Sequence, residues 1–497
     1  MSDQATSAET PTFAVVGAVN HGKSSVVATL VENDRVRVSP MPGETVEVQR
    51  FSLGELIVLH DTPGFQNARE ALAELHDAAT AVQPLQRFAA FIERHRGEPE
   101  FEAECRLFEP VVRGAGIVYV VDAARPLRDI HLAEMELMRL SGAPRLAIIN
   151  KSGGADDHTA PWKLRLGQHF NAVREFDAHA VTFADRIELL ETLAGIEQRW
   201  KPRLMQAVQT LRADREQRLN DASSLMANWL AQALPHREEE HSAGEPDAAI
   251  LARYRDTLAA RETAVHAALI RLFSHHHVHA ATDAAQLVAD GLFSEATWSL
   301  LGLDARQLLR AGTAAGAAIG AGTDLLTAGH TLLLGSAVGA AVGAAGALAL
   351  GKRQPELAVR LPAASLPAPL RGLMRRGLRL PDRLALAGRV RGVGPNPALN
   401  FPWILIDRAF GTLACVALRS HARRDTEQLD SARLRGLLAR HHMASSDWPA
   451  DDRRSAEACF DRLRRGRALP TDGDLLQALL RRWMSRLDLP PSDGAAP

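Results

Sequence analysis

The chain has 497 residues, more than one ordinary hydrophobic core supports, so roughly two to four domains are expected. With 46% hydrophobic and 24% charged residues, its composition excludes a disordered or fibrous protein. The formal net charge of -1 conceals an asymmetry, because from Lys352 onward there are 26 Lys/Arg against 15 Asp/Glu. Such a basic C-terminal third suits either a solvated face or a phosphate-rich partner such as a membrane surface or RNA.

Cys105, Cys415 and Cys459 are far apart and lack CxxC spacing, which excludes a readable disulfide framework or zinc site and fits a reducing cytosol. Residues 1–11 are polar, with neither a basic start nor an apolar stretch. They predict a disordered tail rather than a secretory signal, and a cytoplasmic protein.

Residues 13–16 form an apolar run that ends in Gly17-Ala18-Val19-Asn20-His21-Gly22-Lys23-Ser24, and residues 24–30 follow at helical spacing. This strand, loop and helix carry the GxxxxGKS pattern, whose backbone N–H groups and helix N-terminus cradle phosphates. The nucleotide-contacting set expected here is Gly17, Val19, Asn20, His21, Gly22, Lys23, Ser24 and Ser25. Lys23 is expected to pair with the β and γ phosphates and Ser24 to bind Mg²⁺ through its hydroxyl. Only five lysines occur in the chain, and two of them, Lys23 and Lys151, lie in nucleotide motifs.

Runs at 51–53 and 55–59 predict a hairpin around Gly54, and the second run leads into Asp61-Thr62-Pro63-Gly64. A carboxylate at that point can hold Mg²⁺, and the Gly64 amide can sense the γ-phosphate, a catalytic role shared with Lys23. Between the two motifs, Pro42-Gly43-Glu44-Thr45 supplies a candidate switch-one threonine, Thr45, to complete the Mg²⁺ shell. Residues 66–113 are polar and helix-forming, and predict a helical insertion directly behind the second switch. Further strands are expected at 117–121 and 145–149, giving a mostly parallel sheet with helices on both faces.

The strand at 145–149 ends in Asn150-Lys151-Ser152-Gly153, which resembles the guanine-recognition motif NKxD, in which Asn and Lys frame the base and Asp accepts from the purine. Gly153 stands where that Asp is expected, and Asp156 or Asp157 replaces it only if the loop folds back. From Arg186 the pattern becomes long amphipathic helices, at 189–234 and 247–273, that read as a stalk or bundle. The cluster His275, His276, His277 and His279 fits a solvated tail better than a metal site, because adjacent histidines do not share a helix face.

Residues 311–350 carry one formal charge, Asp324, and two glycine series at four-residue spacing, Gly312, Gly316, Gly320 and Gly335, Gly339, Gly343. This glycine-zipper hairpin has basic flanks and reads either as an inner-membrane hairpin with both ends cytoplasmic or as a close-packed hairpin within the protein. Beyond it, strands are expected at 386–393 and 401–407, then helices at 425–441, 455–464 and 475–487. Asp407 and Arg408 are expected to serve in structural ion pairs.

At this level residues 12–190 resemble the Era and MnmE type of small bacterial GTPases, on the strength of Asn20-His21-Gly22-Lys23-Ser24, Thr45, DTPG and Asn150-Lys151. The whole chain resembles bacterial GTPases that carry a C-terminal domain of unknown function. The resemblance implies GTP, Mg²⁺ and K⁺ as cofactors, with Asn20 coordinating K⁺ as a catalytic group and Ala178, in residues 176–179, standing in the family's SAK loop. It also implies a transient homodimer through the G domains, and slow intrinsic turnover because Phe65 occupies the place of a water-orienting glutamine.

The expected organisation is therefore a tail at 1–11, a P-loop GTPase domain at 12–190, a helical region at 191–300, a hairpin at 305–353 and a small, basic, mixed α/β domain at 354–497. The expected function is a GTP-hydrolysing switch that binds GTP and GDP, is potassium-stimulated and acts at or near the membrane lipid. The competing reading is a ribosome or RNA assembly factor, for which no KH-type GxxG clamp or aromatic RNA platform is visible.

Overall fold

The computed structural model describes residues 10–18, 21–31, 49–53, 56–77, 83–151, 157–177, 182–241, 245–273, 289–304, 306–308, 392–417 and 430–488. The expectations for Val19, Asn20, Thr45, Gly153, Ala178, the histidine cluster and the hairpin at 311–350 lie outside these residues. Up to Glu216 the described residues form one compact unit, and from Gln217 they form a second.

The first unit is built on a six-stranded sheet. Its strands are β1 (Thr12–Val16), β2 (Gln49–Leu53), β3 (Ile57–Asp61), β4 (Gly116–Asp122), β5 (Arg145–Asn150) and β6 (Ala172–Phe176), in the order β2-β3-β1-β4-β5-β6. Only β2 runs antiparallel, paired with β3 through Phe51↔Leu59. The remaining neighbours are parallel, with Val15 opposite Asp61 on one side and Val118 on the other.

Alternating side chains build two cores. Ala14, Val16, Ile117, Tyr119, Val121, Ala147 and Ile149 face one layer of helices. Phe13, Val15, Val118, Val120, Leu146 and Ile148 face the other. Strands buried on both faces read as continuous apolar runs, which is why β1, β4 and β5 were expected.

Helix α1 (Lys23–Val31) follows β1. Three helices fill the β3-to-β4 connection: α2 (Ala68–Asp77), α3 (Pro84–Arg94) and α4 (Glu102–Val112). The expected helical insertion is thus folded onto the core, with Phe88, Phe91, Leu107 and Phe108 buried. Helices α5 (Asp129–Leu140) and α6 (Thr159–His169) join β4, β5 and β6 in turn.

The long helix expected at 189–234 is two helices, α7 (Phe183–Ile196) and α8 (Lys201–Ala233). Gly195 and Pro202 flank the break, and Pro202 sits in the first turn of α8, where its missing N–H costs nothing. Trp200 in the break packs edge-on against Phe13 at 4.9 Å, and a Cβ on Gly116 would lie 2.7 Å from its ring.

In the second unit, α9 (Asp247–Phe273) matches its expected limits, and the run expected as a strand at 401–407 begins a helix, Phe401–Ala417. Every residue from Phe401 to Ala414 is buried. A helix buried on all sides shows no 3.6-residue alternation, so its sequence is indistinguishable from a buried strand by periodicity. With further helices at Ser431–Arg440, Ala450–Arg464 and Pro470–Met484, the described C-terminal residues are helical rather than mixed α/β. Their only strand, Gly392–Val393, pairs with Glu238–Glu239.

The expected structural ion pair is present at Arg408, whereas Asp407 holds backbone amides instead. Arg408 makes a buried two-pronged contact with Glu262, Nε to Oε1 at 2.6 Å and Nη2 to Oε2 at 3.0 Å. Asp407 accepts from the amides of Gly302 and Ser445, each at 2.7 Å, and burial raises its pKa to about 6. Among the described residues no helix is long and apolar enough to cross a membrane.

Candidate nucleotide site

The site forms where the carboxyl ends of β1, β3 and β5 meet the start of α1. Gly17 leaves β1 at φ +145°, and a Cβ there would lie 2.3 Å from the Val120 carbonyl oxygen, so only glycine fits. Gly22 has φ +86°, and a Cβ on it would lie 2.3 Å from Asn150 Nδ2. The two glycines thus let the backbone approach β4 and β5 closely, and the Val26 amide closes the first helical turn on the Gly22 carbonyl at 3.0 Å.

Lys23 Nζ donates to the Gly17 carbonyl at 3.2 Å and to the Ala18 carbonyl at 3.1 Å, folding its ammonium back over the loop. Those oxygens occupy the role that phosphate oxygens take in a P-loop. Burial pulls the Lys23 pKa down, and the negative charges of Asp61 and Glu134 oppose that shift. A compact buried ammonium at a helix N-terminus is a strong anion site.

Ser24 Oγ donates to Asp61 Oδ2 at 2.6 Å, bringing together the two expected Mg²⁺ ligands. Asp61 is almost fully buried, and its Oδ1 has no hydrogen-bond partner among the described residues. Burial raises its pKa, while the Ser24 bond and the Lys23 charge lower it. A hydroxyl and a carboxylate with an orphaned oxygen form a hard-oxygen pair that suits Mg²⁺, which would neutralise charge developing between the β and γ phosphates. Thr62 Oγ1 donates to the Val15 carbonyl at 2.8 Å, so the DTPG turn is pinned to the end of β1.

His21, expected among the nucleotide contacts, turns its imidazole inward. It is buried 5.5 Å from the His131 ring and 6.4 Å from the Trp162 ring. Burial, with the nearby His131, Lys23 and Arg125, lowers its pKa to about 3, so it underpins the loop as a neutral ring.

Asn150 Nδ2 reaches the His21 carbonyl at 3.4 Å, so this residue of the base-recognition motif also braces the phosphate loop. Lys151 pairs with Glu175 of β6 at 2.8 Å. Asp157 Oδ1, just before α6, accepts from the Thr159 amide at 2.9 Å. Phe65 is buried in the core, its ring 6.3 Å from that of Phe108, and offers no group to orient water.

Two carboxylates near the site escaped sequence reasoning. Glu134 of α5 is buried and accepts from Tyr119 Oη at 2.6 Å; burial raises its pKa to about 7, against the lowering effects of the Tyr119 bond and Lys23. Glu104 of α4 is also fully buried. Both lie in helices whose other acidic residues are solvated, so nothing in their spacing marks them.

Residues 12–151 match the family described as "50S ribosome-binding GTPase". Residues 163–479, well over half of the chain, match the family described as "Domain of unknown function (DUF3482)". The chain belongs to the DUF3482 family.

Its N-terminal part is an α/β P-loop GTPase domain, as the sheet and the loop geometry require. The chain is 27% identical over 194 residues to a "Probable GTP-binding protein EngB" of Shewanella frigidimarina, covering 39% of this DUF3482 chain and 72% of that protein. It is 24% identical over 247 residues to the protein of the same name from Laribacter hongkongensis, covering 49% and 86%. An Era variant of Aquifex aeolicus bound to GDP.AlF4- aligns at 18% identity and a TM-score of 0.23, covering 34% of this chain and 52% of that one. An Era complex with MgGDPNP and nucleotides 1506-1542 of 16S ribosomal RNA aligns at 17% and 0.22, covering 34% and 51%. The chain thus spans about half the length of these Era chains.

Proposed function

We propose that this protein is a GTP-dependent switch that binds GTP with Mg²⁺ and hydrolyses it to GDP and phosphate. The observation that carries the reading is the convergence of the buried Lys23 ammonium with the Ser24–Asp61 pair at the mouth of one glycine loop. Lys23 offsets charge on the β and γ phosphates, Ser24 and Asp61 hold the metal, and Thr45 joins them when switch one closes. Asn150 and Lys151 frame a guanine base. By resemblance Asn20 holds K⁺ against the phosphates when two G domains meet transiently, and Phe65 leaves intrinsic turnover slow.

Lys23→Ala tests this reading through the affinity for a fluorescent GDP analogue. Loss of binding is expected, and an affinity within threefold of wild type would overturn it.

The cell compartment in this reading is the cytoplasm, with the hairpin at 311–350 anchoring the protein to inner-membrane lipid. Fractionation of the full-length protein with and without that segment tests the anchor. A second reading, action on ribosomal RNA, is favoured by the match of residues 12–151 to the ribosome-binding GTPase family and by the basic chain beyond Lys352. Salt-sensitive co-sedimentation with ribosomal subunits would separate it from the membrane reading.

A further inference from the structure

The segment after Gly64 is gripped by the insertion rather than left free. Glu104 Oε1 accepts from the amide of Gln66 at 2.7 Å and from the amide of Asn67 at 2.6 Å. Asn67 Nδ2 adds a bond to the Glu100 carbonyl at 2.5 Å, and the Phe65 ring packs against Phe108 of the same α4. About two turns further on, Glu74 of α2 meets His95 Nε2, at the end of α3, at 2.7 Å.

The Glu104 carboxylate is fully buried, and its second oxygen, Oε2, has no hydrogen-bond partner among the described residues. A buried carboxylate with one idle oxygen is costly to keep, and a neutral side chain would fill the same space more cheaply. What Glu104 accomplishes locally is to fix two consecutive amides at a single point.

That point is one of two anchors. Thr62 is tied to the Val15 carbonyl on one side, and Gln66 to Glu104 on the other. Only Pro63, Gly64 and Phe65 lie between them, and Pro63 and the buried Phe65 have little freedom of their own. The direction of the Gly64 amide, which the proposed function assigns to the γ-phosphate, is therefore set by how firmly Glu104 holds the next turn.

We infer that Glu104 is a positioning residue for GTP hydrolysis, acting through the Gly64 amide, and that the α3–α4 insertion is the part of the G domain that holds switch two in its working geometry. This inference rests on the GTPase reading above. It assigns the insertion a task in turnover, whereas nucleotide affinity remains with the P-loop.

The test compares full-length wild type with Glu104→Leu, Glu104→Asp and Glu104→Gln, measuring kcat for GTP, affinity for GTP and GDP, and amide hydrogen exchange over residues 64–70 without nucleotide. Because both amides bond to one oxygen, glutamine can replace Glu104, whereas aspartate is one methylene too short and leucine has no acceptor. The expected result is a fall in kcat of at least about tenfold in the Leu and Asp variants, with affinities within about threefold, lost amide protection, and recovery of both rate and protection in the Gln variant. If the Leu variant does not fold, the Asp and Gln pair decides alone.

Turnover within twofold of wild type in the Asp variant, or affinity falling in step with rate, would overturn the inference. So would unchanged amide protection, whatever the turnover. A wild-type protein that shows the protection but hydrolyses no GTP would instead overturn the proposed function, and the positioning role of Glu104 in turnover with it.

Discussion

Ser24 Oγ, in the first turn of α1, lies 2.6 Å from Asp61 Oδ2 at the end of β3, although the two residues are 37 apart in the sequence. The parallel pairing of β1 with β3, with Val15 opposite Asp61, brings them together. The bond joins the phosphate loop to switch two before any nucleotide is considered. In the proposed function a divalent cation would enter here, between a hydroxyl and a carboxylate whose other oxygen has no partner among the described residues.

Asp61→Asn preserves the shape of that pair and removes its charge. The Mg²⁺ concentration giving half-maximal GTP hydrolysis is expected to rise at least about tenfold, equivalent to ~1.4 kcal/mol of lost metal interaction. Titration of Mg²⁺ against phosphate release measures it, and an unchanged midpoint would remove Asp61 from the metal site.

Asn150 is expected to affect every nucleotide, because its side chain holds the His21 carbonyl in addition to its proposed part in framing the base. Asn150→Ala should weaken GTP, GDP and ATP binding together. The wild type should prefer GTP over ATP by a smaller margin than an intact NKxD motif gives, since Gly153 has no acceptor. Competition binding reads both effects. An Asn150→Ala protein with unaltered ATP affinity would show that Asn150 acts on the base alone.

These residues show how far sequence reasoning reaches. Strands β1, β4 and β5, the glycine loop and DTPG were legible because buried parallel strands and phosphate loops impose local patterns. Strand β6 was not, since at the sheet edge Ala172–Phe176 includes Arg174 and Glu175 and shows no apolar run. The helix Phe401–Ala417 was misread because burial on all sides erases the helical period. Glu104 and Glu134 were invisible for a different reason. Their roles depend on which helix face meets the sheet, and that is decided by tertiary packing of α4 and α5 rather than by neighbours in the sequence. His21 was legible as part of the loop, but its ring is buried near His131 and Trp162.

Potassium dependence is proposed on the resemblance carried by Asn20. With Phe65 unable to orient water, a cation held by Asn20, as proposed, would supply the positive charge that an arginine finger would otherwise bring. GTPase activity is expected to rise at least about tenfold, ~1.4 kcal/mol of barrier, when K⁺ replaces Na⁺ at constant ionic strength. Asn20→Ala should abolish the rise. Steady-state phosphate release in the two salts, at several protein concentrations, is the measurement. Equal rates at concentrations where the protein self-associates would leave Asn20 as a brace for the loop.

Glu134 should make the stability of the G domain depend on pH near neutrality. Its carboxyl, buried behind Lys23 and bonded to Tyr119, has a pKa of about 7 in the fold against an ordinary 4.5. Between those values the folded protein holds a proton that the unfolded chain has released, so folding is favoured most below pH 4.5 and loses that contribution as pH rises through 7. The loss amounts to about 3 kcal/mol for a shift of this size. Glu134→Gln keeps an oxygen to accept from the Tyr119 hydroxyl and cannot ionise, so it escapes the loss. Relative to wild type, the variant should gain stability by up to about 3 kcal/mol between pH 5 and pH 8. Urea denaturation followed by the fluorescence of Trp162 and Trp200, both buried in this unit, measures the difference at each pH. A gap between the two proteins that is the same at pH 5 and pH 8 would show that Glu134 titrates as an ordinary carboxyl, and that Lys23 already has its charge beside it at acidic pH.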